Sequence, residues 1–326
     1  MYPLKFREIF KPYIWGGRNL EQIGKSLGQN PVVAESWELA DHGEDVSIVR
    51  NGPCAGASLR ELIELHGEEL CPKTRNGRFP ILVKFIDANE RLSVQVHPDD
   101  DYARTHEGEG ELGKTECWYI MRAAPGARIV MGLKRGITKE RLRELAGQNR
   151  IDEGLNFVQV KSGDVFNIRT GTVHALLEGI VVCEIQENSD TTYRLYDWGR
   201  VDREGKPRPL HVEKAFDVIE SPSGGGNTAD PLEGIRVSYD LSAADVEVPL
   251  VRGPYFNIDR LVLTKNFPLD LVGCRFHTLS ILGGSGAIEH EGGAEHVRRG
   301  ETVLIPGALG SYRIVTGGIE LLKTFV

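Results

Sequence analysis

No stretch of this chain approaches the roughly 20 consecutive apolar residues that a membrane-spanning helix needs, so no membrane association is expected. A basic block or stripe is missing too: 39 Lys and Arg are interspersed with 47 Asp and Glu, for a formal net charge of -8. With nothing to meet a phosphate backbone, nucleic acid is not an expected partner. Cysteine is scarce. The five (Cys54, Cys71, Cys117, Cys183 and Cys274) are odd in number, far apart and without any CxxC spacing. That is the usage of a reducing compartment, not of a disulfide scaffold. The opening MYPLKFREIFKPYIWGG carries charges inside its apolar run and no cleavage signature, so it does not read as a signal peptide. The expected location is cytoplasmic.

What is present is an ordinary globular composition, 40% hydrophobic and 26% charged over 326 residues, a length that suggests about two domains. Most segments read as short strands separated by Gly, Pro, Asp and Asn, among them PILVKFID, RLSVQVH, CWYIMRA, ARIVMGL, GLNFVQV and GIVVCEIQ. Their spacing and turn chemistry predict a mainly β protein, an antiparallel sandwich or small barrel. Three segments have helical period instead: Ser58 to Leu70 with Ser58 as the cap, Thr138 to Asn149 without a full capping box, and Pro209 to Glu220. They are expected on the outside of the β core. The run SPSGGGNTADP is too rich in Gly, Ser, Asn and Pro for sheet or helix. The chain therefore divides into a larger β domain with helical additions (1–220), a linker (221–231) and a smaller all-β domain (232–326).

Two stretches echo each other, GDVFNIRTGTVH from Gly163 to His174 and GETVLIPGALGS from Gly300 to Ser311. Each resembles the second motif of the cupin superfamily, in which Gly, a short strand and a Pro-x-Gly turn lead to a metal-binding His. His174 falls on the ligand position of the first copy and Ser311 on that of the second. The echo implies a bicupin, two jelly-roll domains of which only the first is equipped for metal. In the second, His277 stands alone, so a metal-free packing domain is expected, with Leu261, Val262, Leu279, Ile281, Val303, Leu304 and Ile314 as its core.

The stretch LSVQVHPDD alternates strictly, with Leu92, Val94 and Val96 on one face and Ser93, Gln95 and His97 on the other. A solvated edge strand would alternate in the same way. Residues i and i+2 of a strand point the same way about 7 Å apart, near enough to reach one ion. With Glu116 opening ECWYIMR and His174 after the turn, the candidates make two imidazoles, one carboxylate and one amide. That set suits Zn²⁺ with a position left for water or substrate, and as two His and one carboxylate it also suits Fe²⁺. His66, His106, His211, His290 and His296 have no partner at meaningful spacing and read as locally satisfied. Lys114 lies two residues before Glu116, on the same side of an extended chain. Lys84 interrupts an apolar run, where an ammonium needs a charged partner or a cavity mouth; with Ser93 it can hold a phosphate.

KPYIWGGRNL, ESWELADH, FPILVKFIDANERLSVQVHPDD, GKTECWYI, GTVHALLEG and ENSDTTYRLYDWG occur here in the order seen in type I phosphomannose isomerases, and the chain resembles the short bacterial form of that family over most of its length. The resemblance implies one zinc ion per chain on Gln95, His97, Glu116 and His174, substrate contacts by Ser93, Lys84 and Lys114, and catalytic roles for Asp190 and Arg194. It departs at Arg169, where the family usually has Pro, and after His174, where ALLEG lacks the common aromatic. The implied reaction interconverts mannose 6-phosphate and fructose 6-phosphate through an enediol. Lys114 and Arg194 would stabilise the developing charge; Asp190, a Lys114 of depressed pKa or a metal-bound hydroxide would take the proton. The expected partner is a small sugar phosphate and the expected state a monomer. Two other readings share the scaffold: a non-catalytic sugar-phosphate sensor, which needs no proton-transfer groups, and an iron oxygenase, for which the Gln ligand and phosphate-type residues have no use.

Overall fold

The computed structural model describes residues 1–71, 74–201, 204–220, 232, 235–273 and 276–326, and the linker expected at 221–231 lies outside them. The chain is mainly β, as its turn chemistry predicts. A seven-stranded sheet runs in the order Arg236–Val237, Val165–Ile168, Glu116–Ala123, Ile180–Glu187, Ile81–Ala88, Glu35–Leu39 and Ile9–Lys11. Facing it is a five-stranded sheet in the order Leu155–Gln159, Arg128–Leu133, His174–Leu176, Val94–Val96 and Tyr193–Tyr196. Every pairing in both sheets is antiparallel.

Period-2 alternation gives the seven-stranded sheet two different jobs. Trp118, Ile120, Val182, Ile86 and Phe166 point toward the five-stranded sheet and pack with its Ile129 and Met131. Cys117, Tyr119, Cys183, Ile185, Val83 and Phe85 point the other way, into a core shared with Phe276, Leu282, Leu304 and Leu322 of the C-terminal sheet. Burial in that second layer pushes the Cys117 and Cys183 thiols up, so neither is a reactive thiolate.

The C-terminal sheet has eight strands, and Leu4–Lys5 from the start of the chain forms its edge against Thr302–Pro306. Its inner face buries Leu261, Leu279, Ile281, Val303 and Ile314. Val262 and Leu304 do not belong to that core: neighbours on a strand face opposite ways, so Val262 is half-buried and Leu304 packs between the two halves.

The three expected helices form at Leu59–Leu70, Lys139–Gly147 and Val212–Val218. Ser58 and Glu61 close a reciprocal capping box on the first; Thr138 caps the second from its side chain alone. A fourth helix, Asp100–His106, follows directly on the site strand and is capped by Asp99, whose carboxylate accepts from Tyr102 N–H. Among the described residues, no helix is long and apolar enough to cross a membrane.

Candidate metal centre and active site

Register builds the site. Across the five-stranded sheet, Met131, His174, Gln95 and Arg194 stand directly opposite one another, and opposed residues share a face. Across the seven-stranded sheet, one row holds Glu116 and Gln186 and the next holds Trp118, Glu184, Lys84 and Trp37. The two faces look at each other, so one pocket collects side chains from eight strands.

Within it, His97, Glu116 and His174 bring their ligand atoms within 4.8 Å of one another, and all three are buried. Glu116 Oε1 lies 3.1 Å from His174 Nε2, and Glu116 Oε2 lies 3.4 Å from His97 Nε2. The other ring nitrogens decide the tautomers. His97 Nδ1 is 2.9 Å from the Thr191 carbonyl and His174 Nδ1 is 2.9 Å from the Thr172 carbonyl. A carbonyl oxygen only accepts, so Nδ1 carries the hydrogen in each ring and Nε2 presents a lone pair to the pocket. Burial, with the Lys114 ammonium beside it, holds the His97 pKa down to about 4, so this imidazole is neutral at neutral pH. Glu116 Oε1 is buried without a hydrogen-bond partner. Two imidazole nitrogens and a carboxylate oxygen that face one another at these distances are a donor set that fits a divalent metal. Gln95 stands beside the set: its amide reaches to 3.3 Å from His174 Nε2, and rotating it places the oxygen there.

Lys114 joins this centre directly. Its Nζ is 2.7 Å from Glu116 Oε2 and 3.4 Å from His97 Nε2. Burial works against the ammonium, but Glu116 and Glu184 outweigh it and raise the pKa. The balance of its surroundings thus favours the charged form of Lys114 rather than a depressed lysine. Its counterpart Glu116 is disfavoured by burial yet held well below the usual carboxylate range by Lys114 first, then the two imidazoles.

Lys84 lies 3.5 Å from Glu35, 3.6 Å from Glu184 and 3.8 Å from Asp190, with its ammonium over the Trp37 ring. It is buried, and desolvation opposes its charge, but those three carboxylates and Glu116 outweigh it. Asp190 is exposed, at the mouth of the pocket. Ser93 is buried, directly before the strand Val94–Val96 that carries Gln95. Arg194, opposite Gln95, donates from Nη1 to the Pro209 carbonyl at 2.8 Å, and its Nε is buried without a partner. His97, Glu116, His174, Gln95 and Lys114 thus stand together, Lys84 joins them through Glu184 and reaches Asp190, and Arg194 is in register with Gln95.

The type I phosphomannose isomerase catalytic-domain model matches residues 4–121, a span that holds Lys84, Ser93, Gln95, His97, Lys114 and Glu116. Over 96% of the chain, the protein is 39% identical to the mannose-6-phosphate isomerase ManA of Bacillus subtilis (strain 168), covering 95% of that relative. It is 35% identical to a mannose-6-phosphate isomerase of Streptococcus mutans over 99% of the chain and 98% of the relative. The crystal structure of a mannose 6-phosphate isomerase from Bacillus subtilis superposes with a TM-score of 0.87 at 33% identity, covering 100% of both chains. The chain belongs to the type I phosphomannose isomerase family.

Sequence reasoning missed Glu184, which this member of the family places between both pocket lysines. Its Oε2 accepts from Trp118 Nε1–H at 2.6 Å, while Oε1 is buried without a hydrogen-bond partner, 3.6 Å from Lys84 and 3.9 Å from Lys114. Burial and the neighbouring Glu116 raise its pKa. The available signal was alternation: Val182, Glu184 and Gln186 share a face in IVVCEIQE, as Glu116, Trp118 and Ile120 do in ECWYI. His211, read as locally satisfied, bonds the backbone of Arg194, accepting its N–H at 3.2 Å through Nδ1 and donating its own N–H to the Arg194 carbonyl at 2.8 Å.

In the C-terminal half, His277 Nδ1 meets the Tyr312 hydroxyl at 2.8 Å and Nε2 is buried unpartnered, while Ser311 is exposed. Burial and then Lys323 hold the His277 pKa down to about 4. Between pH 6.5 and 4 the unfolded chain binds a proton that the folded one refuses. The stability tied to His277 is therefore complete above the free imidazole pKa and is lost as pH falls through that window. His277→Gln should flatten the dependence of melting temperature on pH there and leave the metal content unchanged. An unaltered pH dependence, or loss of metal, would show a different role for this histidine.

Proposed function

We propose that this protein is a mannose-6-phosphate isomerase that interconverts D-mannose 6-phosphate and D-fructose 6-phosphate with one Zn²⁺ per chain. The single observation that carries the reading is the convergence of two imidazole lone pairs and the Glu116 carboxylate beside the buried ammonium of Lys114. The names of the relatives supply the substrate. Two imidazoles, a carboxylate and an amide oxygen form a borderline-soft donor set that suits zinc and leaves a position open. Bound there, the ion would polarise the oxygens on C1 and C2 of the open-chain sugar.

The barrier in this reaction is the negative charge that appears on oxygen as the carbon acid ionises. Lys114, locked between Glu116 and Glu184, offers that charge a cation that needs no reorganisation. Trp118, Ile120, Ile86 and Val182 make the wall behind it apolar, which keeps water out and strengthens each interaction. Arg194 holds an unused buried donor for the same purpose. Two carboxylates can carry the proton between C2 and C1, Asp190 from the rim and Glu184 from inside. Lys84 and Ser93 are the proposed contacts to the phosphate, Lys84 sharing its ammonium with three carboxylates. A non-catalytic sensor would have no use for the buried Lys114 and Glu184 pair.

Replacing Lys84 by Met should raise KM for mannose 6-phosphate about tenfold or more, on the scale of one charge-assisted hydrogen bond, and spare any turnover of free mannose. Equal losses on both sugars would assign Lys84 to holding the carboxylates of the pocket in place instead.

A further inference from the structure

Lys114 sits on a loop whose flanking amides are both held by carboxylates. Gly113 N–H donates to Asp100 Oδ1 at 2.8 Å, and Thr115 N–H donates to Glu187 Oε1 at 2.9 Å. The Lys114 N–H donates to the Pro98 carbonyl at 3.1 Å, so three successive amides are fixed. The remaining oxygens of the two carboxylates go to a single guanidinium: Arg75 donates from Nη1 to Glu187 Oε2 and from Nη2 to Asp100 Oδ2. Gly113 packs so tightly that a Cβ there would lie 2.7 Å from the backbone nitrogen of Asp100, which stops the loop from sliding along the helix start.

The charges make the arrangement depend on Arg75. Glu187 is fully buried, and without a cation it would face both desolvation and the like charge of Asp100. Arg75 lies on a hairpin closed by its own bridge to Arg78, and its guanidinium stacks over Tyr255, 4.8 Å from the ring centroid. Tyr255 belongs to the C-terminal half, so that half is in contact with the clamp.

We propose that Arg75, whose hydrogen bonds go to Asp100 and Glu187 rather than into the pocket, is a positioning residue that sets the place of Lys114 by bridging the two carboxylates that hold its neighbours' amides. This rests on the charge-stabilising role given to Lys114 above. A displacement of the ammonium by a fraction of an ångström weakens it most in the transition state, where the charge is largest.

Arg75→Met should lower kcat about 10- to 100-fold with KM within about threefold, and Arg75→Lys, which can keep one of the two bonds, should fall between. Tyr255→Ala should give a smaller loss of the same kind. In a Lys114→Met background, Arg75→Met should cost less than about threefold more, because its effect has already been removed. Amide hydrogen exchange of Gly113 and Thr115 should quicken in Arg75→Met while that of Val165 to Ile168 does not. Unchanged kcat in Arg75→Met, a full multiplicative loss in the double variant, or unaltered exchange at Gly113 and Thr115 would each overturn the proposal. The exchange readout is independent of turnover, so it tests the clamp even if the wild-type protein fails to isomerise mannose 6-phosphate, an outcome that would instead defeat the proposed activity.

Discussion

His97→Ala will strip the centre of its metal and lower turnover by on the order of a thousandfold, with the fold retained. The size follows from what is removed. Loss of a single preorganised donor to a developing charge costs roughly 10²–10³ in turnover, and loss of a ligand removes the ion that acts on both substrate oxygens at once. Glu116, His174 and Gln95 would be left to hold it with one imidazole fewer. The fold is expected to survive because the bonds His97 makes, to Thr191, Lys114 and Glu116, lie within the site, and it belongs to none of the apolar cores. Metal analysis and kinetics on the same preparation check this; retention of both metal and turnover would remove His97 from the centre.

Arg194→Ala is expected to lower kcat about 10²- to 10³-fold while changing KM by less than about fivefold. Arg194 stands in register with Gln95, its guanidinium is tethered at one nitrogen by the Pro209 carbonyl, and its Nε donor is buried with nothing to bond. A buried donor left unsatisfied costs on the order of 1–3 kcal/mol, so it is poised for a group that arrives during the reaction. If that group is the anionic oxygen of the enediol, the loss falls on kcat; interactions made only in the transition state behave in this way. A large rise in KM with kcat intact would move Arg194 from the reacting carbons to the phosphate.

Strand alternation was legible in LSVQVH because one face is apolar and the other polar, so Gln95 and His97 could be placed together before any fold was known. The same reasoning failed at Glu184. Its strand is buried on both faces, and IVVCEIQE reads as one apolar run in which a carboxylate looks like an interruption. The core of the C-terminal half was named from hydrophobicity without regard to face, which swept in Val262 and Leu304. The helix Asp100–His106 carries no apolar period, with Ala103 its buried residue, so only its Asp cap could have signalled it. Arg194 lies about a hundred residues from Gln95, and no local pattern sets that register; it came from the family resemblance alone. The bridge from Arg75 to Asp100 and Glu187 is likewise a product of long-range packing.

The central claim is that a metal held by His97, Glu116, His174 and Gln95 serves the isomerisation of mannose 6-phosphate. Its most direct test is a coupled assay for fructose 6-phosphate on one sample, before chelation, after chelation and after zinc is restored, with the metal counted at each stage. One zinc per chain is expected, with activity that vanishes with the metal and returns in proportion to the zinc taken up. Isomerisation that continues undiminished in protein free of metal, or a zinc-loaded protein that forms no fructose 6-phosphate, would contradict it.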